Sequence, residues 1–461
     1  MLKLLLALVV GVVPLALWFV SRPSDPSTLP KLNLQQWWGP EELKGKADDS
    51  IRPFKIEFTD KMIEDLKKRL DNFRPPPPPL EGVAQSYGFN SKLLEDWRRY
   101  WRDQYPFKAR EAFLNQFPQF KTNIQGLDVH FIHVKPKVPA GVKVLPLLAL
   151  HGWPGSVVEF YESIPLLARQ APGHDFAFEV IVPSLPGYGF SDAAVRPGLG
   201  CAQAAVLFRN LMHRLGHKQF YMQGGDMGSL IGTNMVTLFP DEVLGFHSNM
   251  LLTRNARSNL LLLLGALYPP LVVPAHQAHR MYPLGTFIAN MTLESGYFHM
   301  HATKPDTLGV SLSDSPLGLL AYIFEKFSTG TRLHFRDRED GGLLQFYSRE
   351  QLLDNVMVYW VSNAKTTAMR MYAETFNKAH TALNLDSYQT TVPTWALQAI
   401  NDFYHPPTLL RTKFVNLLGH TELPDGGHFI ALEKPEVFSQ DVFKAVKEFV
   451  KYRESKKKTE L

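Results

Sequence analysis

Strand-like and helix-like segments alternate through the middle of the chain. The segment Leu127–Val134 alternates apolar and polar positions, as a half-buried strand does. Further strand patterns cover residues 145–150, 176–182, 219–223 and 243–248. Helical patterns cover residues 157–169, residues 201–215, and the stretch from a glycine-rich turn at 224–228 to about residue 239. Apolar strands that alternate with helices predict a mostly parallel sheet with helices on both faces.

A long helical stretch interrupts this alternation. Residues 255–382 are rich in Leu, Met and Tyr and have no clear strand pattern. Strand patterns return at residues 392–399 and 417–421, and a final helix is predicted over residues 435–452. We therefore predict an α/β fold whose core has two parts, residues 125–254 and 383–461. A helical insertion over residues 255–382 separates them.

The preceding region, residues 24–124, has mainly helical patterns. Met62, Leu66 and Leu70 recur on one helical face. Thr59 or Asp60 is the expected N-cap of that helix. Five consecutive prolines at residues 75–79 then predict a stiff polyproline II spacer.

The first residues are the most strongly biased segment of the chain. Residues 4–20 form an uncharged apolar run between Lys3 and Arg22. Such a run is just long enough to cross the hydrocarbon core of a bilayer. The alternative is a cleaved signal peptide, but the run is long for one and has no small-x-small cleavage site after it. We therefore expect residues 1–23 to be an uncleaved membrane anchor.

Charge and cysteine content narrow the function classes. The formal net charge is +5, and part of it lies in the tail at Lys456, Lys457 and Lys458. A solvated basic tail is the favoured interpretation, and no nucleic-acid partner is expected. The single cysteine, Cys201, excludes an intrachain disulfide and a cysteine-rich metal site.

The turn Gly224-Gly-Asp-Met-Gly228 is the most informative motif, because it joins a predicted strand to a predicted helix. Small residues around a central nucleophile form a nucleophile elbow, which exposes the central side chain at the helix N-terminus. The central residue is Asp226, and the alternative is that it only caps the helix. As a nucleophile, a carboxylate is already ionised at neutral pH and suits attack on an sp³ carbon with a strained leaving group. The resulting ester then needs a base and an oxyanion hole for its hydrolysis.

The expected base is His428, in the glycine-rich loop Asp425-Gly-Gly-His-Phe429 before the last helix. Its late position follows the nucleophile-acid-base order of α/β-hydrolases. Asp402, just beyond the strand that ends at residue 399, is the expected orienting acid. Glu422 and Asp425 are rivals that lie on the base's own strand and loop.

Backbone N–H groups are the expected oxyanion donors. One belongs to Met227, the residue after the nucleophile, and the other to the loop His151-Gly-Trp-Pro-Gly155, with Trp153 as the candidate. His151 could serve as a second base, but we favour a role in holding this loop by a backbone hydrogen bond.

Taken together, these motifs resemble the microsomal-type epoxide hydrolases, most closely the juvenile hormone epoxide hydrolases of insects. The resemblance covers essentially the whole chain and also includes Ser184-Leu-Pro-Gly-Tyr-Gly-Phe-Ser-Asp192 and Gly296-Tyr-Phe-His-Met300. It implies an α/β-hydrolase fold with a helical cap and a wrapping N-terminal region. It also implies that two cap tyrosines, Tyr297 and Tyr372, protonate the epoxide oxygen. The sequence departs from the family pattern at Met227, where Trp is usual, and at Asp402, where the microsomal type commonly has Glu.

The resemblance implies lipophilic epoxides, such as juvenile hormone and related terpenoid epoxides, and water as substrates, with no metal or organic cofactor. It implies the endoplasmic reticulum membrane, with the catalytic domain in the cytosol. The C-terminal Lys458-Thr-Glu-Leu461 is close to a lumenal retrieval signal, which leaves the opposite orientation open. Two other functions remain open: a haloalkane dehalogenase-like hydrolase, and a catalytically weakened carrier of lipophilic ligands.

Overall fold

The computed structural model describes residues 22–459, so the predicted anchor segment of residues 4–20 lies outside the described residues. A single sheet organises the described chain, with strand order β1-β2-β3-β5-β4-β6-β7-β8-β9. Its strands are β1 Arg52–Phe54, β2 Gln119–Ile124, β3 Leu127–Val134, β4 Lys143–Leu150, β5 Phe176–Pro183, β6 Phe220–Gly224, β7 Val243–Ser248, β8 Thr394–Ala399 and β9 Leu417–Leu423.

The sheet is mostly parallel, as the strand–helix alternation predicts. The pairs β5–β4, β4–β6, β6–β7, β7–β8 and β8–β9 are parallel. The remaining pairs, β1–β2, β2–β3 and β3–β5, are antiparallel. β1 and β2 come from the N-terminal region, where the sequence patterns are mainly helical and no strand was predicted. A two-residue turn joins β2 to β3, and Gln125 and Gly126 both have positive φ in it, as a type I′ hairpin requires.

The α-helices lie before, between and after the strands. Their bounds are α1 Asp60–Asp71, α2 Leu94–Arg99, α3 Phe107–Leu114, α4 Ile164–Leu167, α5 Cys201–Arg214, α6 Asp226–Leu238, α7 Ala256–Gly265, α8 Leu284–Glu294, α9 Gly296–Thr303, α10 Pro305–Asp314, α11 Pro316–Thr331, α12 Arg349–Ser362, α13 Lys365–Thr375, α14 Lys378–Thr381, α15 Pro407–Leu410, α16 Ile430–Glu433 and α17 Pro435–Thr459.

Helices cover both faces of the sheet. Gly245 faces Phe449 of α17, and the next residue of β7, Phe246, faces Gly232 of α6. Successive side chains of a strand point to opposite faces, so α6 and α17 lie on opposite sides of the sheet. Between β7 and β8 the described chain contains helices α7 to α14 and no strand of the sheet, and we call this segment the cap.

Two helix predictions have different outcomes. Thr59 is the N-cap of α1, since its hydroxyl accepts a hydrogen bond from the Met62 N–H at 3.2 Å. The single helix predicted over residues 157–169 is wrong. The chain forms a 3₁₀ turn at Val157–Phe160 and then the short helix α4. Pro165, in the first turn of α4, has no N–H to continue a helix from the preceding turn.

Within residues 22–459, no single helix is both long and apolar enough to cross a bilayer. Helices α10 and α11, which meet at a sharp bend, are together long and apolar enough to cross one, by length and composition only.

Candidate active site

Asp226 stands at the N-terminus of α6, directly after β6. Its φ is +47°, a left-handed conformation that L-residues rarely adopt. This strained turn confirms the elbow geometry that the glycine-rich motif predicts. The carboxylate lies at the N-terminus of α6, the positive end of the helix dipole.

Small residues around Asp226 are required by close backbone contacts. A Cβ at Gly224 would lie 2.5 Å from the Gly228 carbonyl oxygen, and a Cβ at Gly228 would collide with the Leu150 carbonyl group. A side chain at Gly152 would collide with the Asp226 carboxylate itself. The glycines therefore allow β4, β6 and α6 to approach closely at the elbow.

The predicted oxyanion residues flank the carboxylate. The Trp153 N–H donates a hydrogen bond to Asp226 Oδ1 at 2.8 Å. Met227 lies in the first turn of α6 with its side chain buried. N–H groups in the first turn of a helix have no partner within the helix, so they are available to an oxyanion.

His428 lies between the predicted nucleophile, Asp226, and the predicted orienting acid, Asp402. Its Nδ1 lies 3.0 and 3.1 Å from the two carboxylate oxygens of Asp402. Its Nε2 lies 3.5 Å from Asp226 Oδ2. Three residues that are far apart in sequence thus come together. The base His428 lies between the nucleophile Asp226 and the orienting acid Asp402, as a catalytic triad requires.

The imidazole of His428 is electrostatically coupled to both carboxylates. Burial opposes its positive charge, but Asp402 and Asp226 outweigh burial and raise the pKa of His428 well above its usual range. The charge of Asp226 therefore favours the imidazolium form of His428.

The loop that carries Asp402 is held from the cap. The Arg280 guanidinium donates hydrogen bonds to the backbone carbonyls of Ala399, Ile400 and Asp402 at 3.1 to 3.2 Å. Arg280 also lies over the Tyr404 ring, 4.1 Å from its centroid. The cap thereby fixes the loop that orients the acid.

The rival acids have other partners. Asp425 pairs with Arg332 and with Lys434, and Glu422 accepts hydrogen bonds from Gln277 and Tyr404. Among the polar contacts of the described residues, the His428 ring pairs with Asp402 and Asp226 and with neither rival.

His151 is engaged with the backbone. Its Nδ1 lies 3.1 Å from the Gly152 carbonyl oxygen, and its Nε2 accepts from the Leu185 N–H at 3.3 Å. Burial lowers the pKa of His151 to about 4, so the ring is neutral. These contacts support the loop-holding role favoured from the sequence.

Tyr297 of α9 and Tyr372 of α13 both lie against Trp153. The Tyr297 ring stacks on Trp153 with centroids 4.9 Å apart, and it lies 6.3 Å from the Tyr372 ring. Burial, and after it the charge of Asp226, raises the pKa of each phenol above its usual range. Both hydroxyls therefore remain protonated and can donate hydrogen bonds near the carboxylate.

Two buried polar residues at the site were missed by the sequence reasoning. His301 packs edge-on against Trp153 at 4.6 Å, and its Nε2 lies 3.0 Å from the Tyr322 hydroxyl. Burial lowers the pKa of His301 to about 3. No pattern distinguishes this histidine from the other fifteen.

Glu159 is the second missed residue. It is buried beside the elbow, and a Cβ at Gly155 would lie 2.8 Å from its Oε2. Burial raises the pKa of Glu159 to about 8, with His428 opposing this shift and Asp226 adding to it. The sequence does hint at this burial, because Glu159 is an acidic residue among the apolar residues Val157, Val158 and Phe160.

Sequence comparisons identify related proteins along the whole chain. Residues 51–160 match the family model described as epoxide hydrolase N terminus, and residues 146–270 match that of the alpha/beta hydrolase fold. The chain is 53% identical over 450 residues to a juvenile hormone epoxide hydrolase of Bombyx mori, covering 97% of each chain. It is 44% identical over 455 residues to epoxide hydrolase 1 of Oryctolagus cuniculus, covering 97% of this chain and 98% of that one.

Solved structures give the same relationship. The crystal structure of the juvenile hormone epoxide hydrolase from Bombyx mori superposes with a TM-score of 0.90 at 55% identity, covering 92% of this chain and 100% of that one. The epoxide hydrolase of Aspergillus niger superposes with a TM-score of 0.71 at 28% identity, covering 88% of this chain and 98% of that one.

Proposed function

The chain belongs to the epoxide hydrolase family and is an α/β-hydrolase-fold epoxide hydrolase, and from this premise we propose that it works through an ester of Asp226. The observation that carries the proposal is the position of the Asp226 carboxylate, between the Trp153 N–H and His428 Nε2. Asp226→Asn, which removes the charged nucleophile and changes little else, is expected to abolish diol formation. Exposed Asp306→Asn is the matched control and should retain full activity.

The first step alkylates Asp226. Because Trp153 holds Oδ1, Oδ2 is the attacking oxygen. It forms a bond to an epoxide carbon while the carbon–oxygen bond of the ring breaks. Tyr297 and Tyr372 face the leaving oxygen, and a phenol proton neutralises the alkoxide as it forms. This need for proton donors distinguishes epoxide opening from halide displacement, and it favours the epoxide hydrolase assignment over a dehalogenase-like one.

The second step hydrolyses the ester. His428 removes a proton from water, and the oxygen of that water attacks the carbonyl carbon of the esterified Asp226. The N–H groups of Trp153 and Met227 stabilise the tetrahedral oxyanion, and Asp402 stabilises the imidazolium. As the intermediate collapses, the ester C–O bond breaks and the departing alkoxide takes the proton from the His428 imidazolium. The second proton of the water returns to the tyrosine phenolate, so the diol leaves and one oxygen from water stays in the Asp226 carboxylate. Epoxide plus water thus gives diol, with no metal or organic cofactor in the scheme.

The substrate we propose is a lipophilic terpenoid epoxide, with juvenile hormone as the leading candidate. Support comes from the 53% identity to a protein named for that substrate and from the aromatic walls formed by Trp153, Tyr297 and Tyr372. The test is to compare kcat/KM for juvenile hormone with that for a simple aryl epoxide. A higher value for juvenile hormone supports the proposal, and a preference for the aryl epoxide contradicts it.

We also propose that residues 4–20 anchor the enzyme in the endoplasmic reticulum membrane, with the catalytic domain in the cytosol. The length and composition of the apolar run support this. The exposed Asn290, in Asn290-Met-Thr292, reports on orientation because glycosylation requires the lumenal side. The protein expressed in cells should co-sediment with membranes and carry no glycan at Asn290. A glycan there would mean lumenal orientation.

A further inference from the structure

Two helices of the cap bury little of their own apolar surface. Helix α7 contains five consecutive leucines, residues 260–264, yet its buried residues are Ser258 and Gly265. Leu261 and Leu262 are partly buried against a small cluster around Tyr282, but no residue of α8 is buried. A surface helix normally turns its apolar stripe to the core, so the outer faces of these helices lack a partner within residues 22–459.

We call the exposed apolar side chains of this segment the cap patch. The residues just before α8 pack on α7, since the Tyr282 hydroxyl, two residues before α8, donates to the Leu262 carbonyl at 3.0 Å. Large exposed apolar side chains on this scale are unusual on a soluble protein and mark an interaction surface. The patch consists of Leu263, Leu267, Tyr268, Ile288 and Leu293, which are 60%, 86%, 63%, 54% and 71% exposed.

The charge around the cap patch is one-sided. Residues 243–293 contain no Asp or Glu, and the first acid after them, Glu294 at the end of α8, pairs with Lys326 and Arg336. Arg254 and Arg257 are exposed at the start of α7. An apolar surface that is flanked by arginine, and whose neighbouring acid is already paired with cations, complements the headgroups of an anionic lipid layer.

The beginning of the described chain lies near the same helix. The Ser24 N–H donates to the Ser387 carbonyl at 2.9 Å. The side chain of the neighbouring residue, Asp386, lies 4.0 Å from that of Arg254. Arg254 directly precedes Asn255, the N-cap of α7. The described chain, which follows the apolar residues 4–20 in sequence, therefore begins close to the N-terminus of α7.

We propose that the cap patch docks into the interfacial layer of an anionic membrane, as a second contact beside the N-terminal anchor. The inference rests on the proposed anchoring but not on the ester chemistry. Helix α8 leads directly into α9, which carries Tyr297. Docking thus places the helix that precedes Tyr297 at the bilayer, where lipophilic epoxides are dissolved.

The test uses the full chain reconstituted in vesicles of phosphatidylcholine and phosphatidylserine. Cys201 is the only cysteine and is buried, so Leu267→Cys gives one accessible thiol for an environment-sensitive fluorophore. Tyr87→Cys, at a position 81% exposed outside the cap, is the matched control. Brominated lipids should quench the probe at position 267 at least several-fold more than the probe at position 87.

Three outcomes overturn the proposal. Equal, weak quenching at the two positions means that the cap patch stays in water. A blue-shifted probe at position 267 that brominated lipid does not quench means that protein covers the patch, from residues 4–20 or a second copy. Failure of the chain to float with the vesicles means that the anchor proposal fails, and this is visible before any quenching is measured.

A kinetic readout tests the consequence for substrate entry. The double variant Leu263→Gln and Leu267→Gln changes two exposed side chains and leaves the site untouched. It should raise KM several-fold for an epoxide dissolved in the vesicles, with kcat and the kinetics of a water-soluble epoxide unchanged. Unchanged KM for the bilayer-dissolved epoxide contradicts docking as the route of entry.

Discussion

The Nε2 atom of His428 lies 3.5 Å from Oδ2 of Asp226, the oxygen that Trp153 leaves free. Burial alone would lower the pKa of His428. The negative charges of Asp402 and Asp226 outweigh burial and raise this pKa well above its usual range. Esterification removes the charge of Asp226 and with it part of this stabilisation. The pKa of His428 therefore falls when the ester forms, and the imidazole becomes a base at the step that needs one.

Replacement of the base separates the two steps. In His428→Gln, Asp226 can still attack the epoxide, but no group removes the proton from water. We expect turnover to fall by about 10²–10⁴-fold, and intact-protein mass spectrometry should detect enzyme heavier by the mass of one substrate. The exposed His299→Gln is the control and should accumulate no adduct. Normal turnover by His428→Gln would mean that the ester is not hydrolysed by this base.

The paired phenols should act on ring opening. Tyr297→Phe or Tyr372→Phe alone should lower the single-turnover alkylation rate by roughly 10-fold or more, and the double variant should approach a loss of about 10⁴-fold. The reason is that an alkoxide without a proton donor is a poor leaving group. Hydrolysis of an ester already formed should be unaffected, which stopped-flow measurements can resolve. The double variant contradicts the account if it alkylates at the original rate, and exposed Tyr87→Phe serves as the control.

Glu159 should make stability depend on pH. Its folded-state pKa is raised from 4.5 to about 8 by burial, so between these values the unfolded chain loses a proton that the folded protein retains. The free energy of unfolding should therefore fall as pH rises from about 4.5 to 8. The glutamine in Glu159→Gln has no proton to lose. The free energy of unfolding of this variant, measured relative to that of the original protein, should therefore rise between pH 4.5 and 8 by on the order of a few kcal/mol.

Denaturant unfolding in detergent at pH 5 and pH 8 checks this prediction for both proteins. The exposed Glu162→Gln is a suitable control because it lies close by in sequence but on the surface. Parallel stability curves for the original protein and Glu159→Gln would show that the Glu159 carboxyl is ionised in the folded state.

A buried ion pair joins the N-terminal region to the cap. Asp354 of α12 accepts from Arg110 Nε of α3 at 3.0 Å and from the Tyr105 hydroxyl at 2.7 Å. Asp354→Ala leaves both donors without this partner and should lower the free energy of unfolding by about 3 kcal/mol. Glu95→Ala, which breaks solvent-exposed pairs with Arg98 and Arg99, should have little effect. Equal losses in the two variants would rule out a special role for the buried pair.

Much of the fold and the site could be read from the sequence because their patterns are local. The elbow depends on glycines within two residues of Asp226, and the strand β3 has the bounds that its alternating pattern predicts. His428 was identifiable because it stands in a glycine-rich loop before the last helix. Such features need no knowledge of distant contacts.

The features that escaped prediction depend on assembly. Strand β1 has three residues, which is too short for a period-two pattern, and it exists because β2 provides its hydrogen-bond partners. Arg280 holds the Asp402 loop from more than a hundred residues away, and His301 reaches Trp153 only when the cap folds over the sheet. Spacing along the chain carries no signal for these contacts.

One measurement tests the central claim most directly: a single turnover in oxygen-18 water with enzyme in excess over epoxide. The account predicts that the new oxygen of the first diol comes from Asp226 and is therefore unlabelled. Oxygen-18 should instead appear in the peptide that contains Asp226. A first diol that carries oxygen-18, with no label in that peptide, would show direct attack by water and contradict the ester mechanism.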